Sequence, residues 1–343
     1  MTRLTGCLRL LAIGALFGLS VPLSRLAAEI ESHPVGLALW VNMLVGAMCL
    51  LIAVCRRSLP IMHARLLRFV CLWGMLGVVG GDVLLFWVVP HLPASTVSII
   101  LVCEGFIVYA CLLLRGKVRT SRRSLIGLVM GMLGILMLIG NGDTIATAGE
   151  PVWILLALSI PAVFAAEDFL ICSSMTEDSD FLALTGYSAI LGSMMLLPVA
   201  WFLNDFIALS WVPSQLEIAI VCIALSSALG TFLMVQLMVN LGALYGSQTG
   251  YTITFAGVVW SIVLLGERLS LGTLLALVLL ILGLLCVEPV KKVMNDVGGR
   301  ASWHGFSTRW MGGKAALGTG NNVSDTAGKR VQTDLYQHVN RIQ

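Results

Sequence analysis

Long apolar stretches alternate with short polar gaps along most of this chain. The stretches fall at about 8–28, 35–55, 68–89, 95–114, 124–141, 151–173, 182–203, 217–240, 247–265 and 271–288. A helix needs roughly 20 apolar residues to cross a bilayer. The pattern therefore predicts an all-α integral membrane protein with ten transmembrane helices. RFVCLWGMLGVVGGDVLLFWVV and LGTLLALVLLILGLLCV are the clearest single spans. The opening MTRLTGCLRLLAIGALFGLSVPL looks superficially like a signal peptide. Its apolar run is longer than a typical h-region and no small-x-small cleavage site follows, so it reads as a retained first helix.

Composition supports the same class. Of 343 residues, 58% are hydrophobic and 11% charged, with a mean hydropathy of +0.95, whereas soluble domains carry roughly 25% charged residues. Arg268 is the only lysine or arginine between Ser124 and Val290. The remaining cations cluster at Arg56/Arg57/Arg65/Arg68, at Arg115/Lys117/Arg119/Arg122/Arg123 and at Lys291/Lys292. With the amino terminus inside, all three clusters fall on the cytoplasmic side. The outside gaps ESHP, PHLP, NGDTIATAGE and NDFIALSWVPSQ then contain no lysine or arginine. The acidic gap SSMTEDSD also falls inside, but acidic residues count little in this rule. The expectation is a multi-pass membrane protein with both termini cytoplasmic.

The same numbers exclude other classes. A net charge of +3 is too small and dispersed for nucleic-acid binding. Nine cysteines, mostly inside apolar runs and without a CxxC, read as reduced packed thiols. The histidines at 33, 63, 91, 304 and 338 lie in gaps or the tail, without metal-site spacing. No GxSxG, Walker-type or dinucleotide motif is present. No enzyme activity, metal or cofactor is expected, and without a P-loop the chain is not an ATP-driven pump by itself.

Ten spans divide at 149–151 into two halves of five. ASTVSIILVCEGFIVYACLLLRGKV in the fourth stretch parallels YGSQTGYTITFAGVVWSIVLLGERL in the ninth. Five spans is an odd number, so the second half enters the membrane inverted, as in many secondary transporters. The expected organisation is a first repeat over 1–148, a second over 149–290 and a tail over 291–343. The tail is rich in Gly, Ser, Thr and Asn and has no sustained apolar period, which predicts a disordered cytoplasmic segment.

The residues also resemble a known family. LLGERLS at 264–270 and FGLSVPLSR at 17–25, with Arg25 eight residues after the aromatic, resemble motifs of the drug/metabolite transporter superfamily, in particular its ten-helix EamA-type members. The resemblance covers roughly residues 8–290. There are departures. Gly116 stands where a first-half copy would carry the glutamate, Thr254 and Cys103 stand where the family often has proline, and Asn42 stands where members often have arginine. The resemblance implies a plasma-membrane transporter, often an exporter of small metabolites, working by alternating access.

Ionisable groups within spans cost about 2.5–3.5 kcal/mol each at the bilayer centre. Glu104 sits near the middle of LVCEGFIV. It reads either as a protonatable group that binds a cation or exchanges a proton for it, or as a protonated carboxyl bonded to a neighbouring helix. Asp82 follows two glycines that would serve a hinge, a backbone approach or a tight helix contact. Glu167 and Asp168 point about 100° apart on a helix, so one of them at most is expected to face a central cavity well. Matching Glu167 to Ser20 of the first stretch favours Glu167, with snorkelling as its other reading. Asn42, Gln236, Asn240, Gln248 and Tyr251 are neutral polar candidates for the cavity or for interhelical hydrogen bonds. Glu267 and Arg268 read as repeat-end packing and interfacial anchoring.

The function expected is secondary transport of a small organic metabolite, with export favoured and coupling to protons or a counter-substrate. Its partners are a small-molecule substrate and the lipid bilayer, without nucleic acid; a homodimer is compatible with the chain. The alternatives are a flippase for a lipid-linked substrate and a non-transporting scaffold or sensor acting through the tail.

Overall fold

The computed structural model describes residues 3–114, 122–140, 151–174, 180–209, 214–241 and 249–286. The predicted tail at 291–343 and the gap at 141–150 lie outside the described residues.

Ten helical spans run through the described chain. They are α1 (Arg3–Ile30), α2 (Pro34–Cys55), α3 (Ala64–Val88), α4 (Ala94–Leu101 and Cys103–Leu114), α5 (Arg122–Gly140), α6 (Pro151–Ser174), α7 (Phe181–Phe202), α8 (Gln215–Leu241), α9 (Thr249–Leu265) and α10 (Leu271–Cys286). Eight are long and apolar enough to cross a membrane, and α9 and α10 are shorter apolar helices. The perimeter is apolar: Ile126, Val129, Leu133 and Leu136 on α5 and Leu274, Val278 and Leu282 on α10 are exposed, as lipid-facing side chains should be.

The contacts between helices repeat themselves. α1 packs on α9 and α8, and its counterpart α6 packs on α4 and α3. α2 packs on α8 as α7 packs on α3, while α2 with α7, α4 with α9 and α5 with α10 are self-matching pairs. Exchanging each helix of one half for that of the other leaves this scheme unchanged, which is the arrangement of a duplicated five-helix unit. Small residues allow the close approaches. A Cβ on Gly18 would lie 2.6 Å from the Gly257 nitrogen, and one on Gly283 2.8 Å from the Gly127 carbonyl oxygen. Without water between the helices, such contacts carry much of the association.

Two irregularities interrupt the helices at mid-depth. In α3 the segment Met75–Asp82 is π-helical. In α4 the helix breaks at Val102 and restarts at Cys103, so Glu104 falls in the first turn of the second segment. π-Segments and broken helices inside a membrane fold occur preferentially where the backbone borders a cavity.

Candidate functional site

Both irregularities open onto one cavity of about 320 Å³. Asp82 at the end of the π-segment, Glu104 beside the α4 break, and Glu167 and Asp168 on α6 all line it. Phe17, Trp73, Phe164 and Phe181 supply aromatic wall, and Thr185, Ser188 and Thr231 supply hydroxyls. The offset that matches Ser20 with Glu167 also matches Phe17 with Phe164, so the two repeats contribute equivalent rings. Among the described residues lining the cavity there is no lysine, arginine or histidine.

Each carboxyl is held by a neighbour. Asn42 is 8% exposed; its Nδ2 donates to Asp82 Oδ2 at 2.8 Å and to the Ala38 carbonyl at 3.1 Å. The Trp73 indole Nε1 donates to Glu167 Oε1, and its ring packs against Phe69 and Phe181. Glu104 and Asp168 face the same cavity as neighbouring carboxyls. Carboxylates are acceptors only, so two that approach each other in a buried site interact favourably only when one carries a proton. Gly77 makes room for the Glu167 head: a Cβ there would sit 2.8 Å from Oε1 and 2.9 Å from Oε2.

Sequence expectations and structure differ at several points. Glu104, Asp82, Glu167 and Asn42 share the cavity wall. Asp168 shares it too, although the 100° argument disfavoured a second acidic neighbour. α6 lies between α3 and α4, so the cavity wraps around more than one of its faces. Gln236 and Tyr251 are not part of the wall; the Tyr251 hydroxyl donates to the Leu284 carbonyl at 3.1 Å, tying α9 to α10. The side chains of Asn240 and Gln248 lie outside the described residues. Gly80 and Gly81 pack against Val163 and Phe164 of α6, which makes the glycine pair a helix contact. No motif in the sequence marks Trp73. Its only signal was an indole nitrogen deep in an apolar run.

Glu267 also does more than end a repeat. Its Oε1 lies 2.7 Å from Arg25 Nη1 and accepts the Ala94 amide at 2.7 Å, while Oε2 accepts the Ser95 amide at 3.0 Å. The two motifs that carried the family resemblance therefore meet in space.

A ten-helix bundle with an apolar perimeter and a charged cavity at mid-depth defines a polytopic membrane protein with an internal site. The sequence profile of the EamA-like transporter family matches residues 4–140 and 152–288, once for each repeat. The chain belongs to the EamA-like transporter family. Comparison with curated proteins gives no match. Twelve solved chains match the fold. One, described as "Crystal structure of protein", has a TM-score of 0.57 and 14% identity, covering 85% of this chain and 99% of its own; that likeness concerns the fold alone.

Proposed function

We propose that this family member is a secondary active transporter of a small organic cation, working by alternating access and exchanging the cation for protons. The observation that carries the reading is a cavity wall with four carboxyl groups and, among the described residues, no cationic side chain. A buried anion is tolerated only when paired or neutralised. The species able to neutralise this wall are protons and positively charged solutes, and binding one releases the other. Four aromatic rings add cation–π attraction for an ammonium or guanidinium group. An anionic metabolite would meet repulsion on several sides.

Glu104 and Asp168 form the proton-carrying pair in this scheme, because two neighbouring buried carboxyls on one wall share a proton more readily than they hold two charges. A monovalent cation entering as that proton leaves keeps the charge of the site constant. Asp82, fixed by Asn42, and Glu167, fixed by Trp73, provide the counter-charge. Phe181, the first residue of α7, lines the cavity, so the cavity reaches toward the end of the bundle that carries Arg56, Arg57, Arg65 and Arg68. By the positive-inside rule that end is cytoplasmic, which favours loading from the cytoplasm and export.

The test uses purified protein in liposomes with a pH-sensitive dye inside. Tetraethylammonium, which has no proton of its own, and 1,4-diaminobutane are applied as gradients. Proton movement opposite to the cation is expected, and Glu104→Gln should abolish it while the protein still inserts and folds. Thermal stabilisation by anionic or neutral metabolites only, with no cation-driven proton flux, would overturn the reading. Stabilisation by lipid-linked solutes alone would replace it with flipping.

A further inference from the structure

Glu267 and Asp205 make the same construction twice at one end of the bundle. Each follows the end of a second-repeat helix, α9 or α7, immediately after a residue in the left-handed region: Gly266 at φ +64° and Asn204 at φ +52°. That conformation ends the helix and turns the next side chain away from its axis. Each carboxylate then accepts amides at the start of a first-repeat helix. Glu267 takes Ala94 and Ser95 of α4, and Asp205 takes Val35 of α2 at 2.7 Å. Each also contacts a basic side chain of the first repeat: Arg25 at 2.7 Å and the His33 ring at 2.7 Å. The Trp40 indole adds a bond to the Ile207 carbonyl at 2.8 Å. Side-chain exposure of Glu267 and Asp205 is 12% and 15%, low enough for these charge-assisted bonds to escape full solvent screening.

Among the described residues, the opposite end shows neither construction. α2 ends with the same backbone turn as α7: Arg57 is at φ +53°, and the Ser58 amide reaches back to Ala53 as the Asp205 amide does to Ala200. Ser58 and Asp205 are separated by the same offset as Phe17 and Phe164, yet the side chain is a hydroxyl that bonds locally to the Ala53 carbonyl. In sequence, Gly116 stands at the position equivalent to Glu267. Where the second repeat ends in a carboxylate, the first repeat has none.

We infer that the Glu267 and Asp205 clamps are a gate. They hold the bundle shut at the end of α1, α3, α7 and α9, and both must release when the cavity opens to that side. This rests on the alternating-access part of the reading above but on no particular solute. Opening at the clamped end is accompanied by closure around Phe181 and Thr185 at the other.

Hydrogen-exchange mass spectrometry on the full chain in lipid nanodiscs tests this without substrate. In Glu267→Gln, exchange should rise about tenfold or more over 94–98, as expected for losing one charge-assisted acceptor. It should also rise over 33–40, where the other clamp is unmutated, and fall over 181–190. A rise confined to 94–98 would reduce Glu267 to a static helix cap and overturn the gate. If exchange rises everywhere because the variant unfolds, Asp205→Asn is read in the same way. A rise at 94–98 despite an intact Glu267, with the fall at 181–190, supports the gate; a response confined to 33–40, or a second global rise, overturns it. Gate opening without cation-driven proton flux in the wild type would leave the gate standing and remove the solute assignment. Normal flux without the reciprocal exchange pattern would do the reverse.

Discussion

Glu167→Gln should make the protein more stable and less able to bind its solute. The substitution is nearly isosteric. The Gln amide oxygen can still accept from the Trp73 indole, and its NH₂ can donate toward the neighbouring Asp82 or Asp168, so the local packing survives. What disappears is one of four acidic groups around a single cavity. Two like charges about 6 Å apart repel by about 3 kcal/mol at an effective dielectric of about 20. Protons already neutralise part of the cluster, which leaves a gain of about 1–3 kcal/mol from the substitution. That corresponds to a rise in Tm of roughly 2–8 °C. In the opposite direction, a cation loses one charge-assisted partner, about 1.5–3 kcal/mol, or roughly 10- to 150-fold in affinity. Tetraethylammonium titration by calorimetry, beside a thermal melt in the same detergent, measures both. A fall in Tm would refute the crowding of like charges. An unchanged affinity would refute the assignment of Glu167 to the binding wall.

Other substitutions separate the parts of the site. Gly77→Ala puts a methyl 2.8 Å from the Glu167 carboxylate and should lower cation affinity about tenfold or more; Gly140→Ala, which meets nothing within 4 Å, should leave binding unchanged in the same titration. Trp73→Phe keeps the ring packing but leaves the Glu167 carboxyl without its donor, and a loss of about 1–3 kcal/mol in stability is expected, read as a lower Tm in a thermal melt. Gly266→Ala forces a Cβ into the left-handed region at φ +64°, costing about 1–2 kcal/mol, and should lower Tm by a few degrees in a thermal melt while misdirecting Glu267.

Hydropathy and the distribution of arginine were enough to read ten spans and a duplicated unit, because a bilayer forces apolar length and basic asymmetry on any sequence that crosses it. Glu104 and Asp82 were legible for the same reason: a carboxyl deep in a span is too costly to be incidental. Asp168 was not, because a helical wheel gives direction without the width of the cavity. The Arg25–Glu267 contact was also hidden. The partners are 242 residues apart, and their proximity depends on α1 packing against α9, which neither stretch reveals alone. The bond from Trp73 to Glu167 likewise depends on α3 meeting α6. Local pattern supplied the elements and the expensive residues, while the pairings came from the inverted packing of one repeat on the other.

The acidic residues of the cavity ride on α6 and on α3 and α4, which both pack against it, and among the described residues lining the cavity none rides on α8 or α9. In the alternating-access cycle proposed above they would travel together as the cavity changed the side it faces, and the membrane voltage would act on them as on a gating charge. Each elementary charge carried across 100 mV is worth about 2.3 kcal/mol. In a cell with a negative interior, an empty and unneutralised wall would be pushed outward and would resist the return stroke of that cycle. Protonation makes that return electrically silent. On the proposed cycle the voltage would act as a ratchet on the unloaded carrier, in addition to the driving force from the proton gradient.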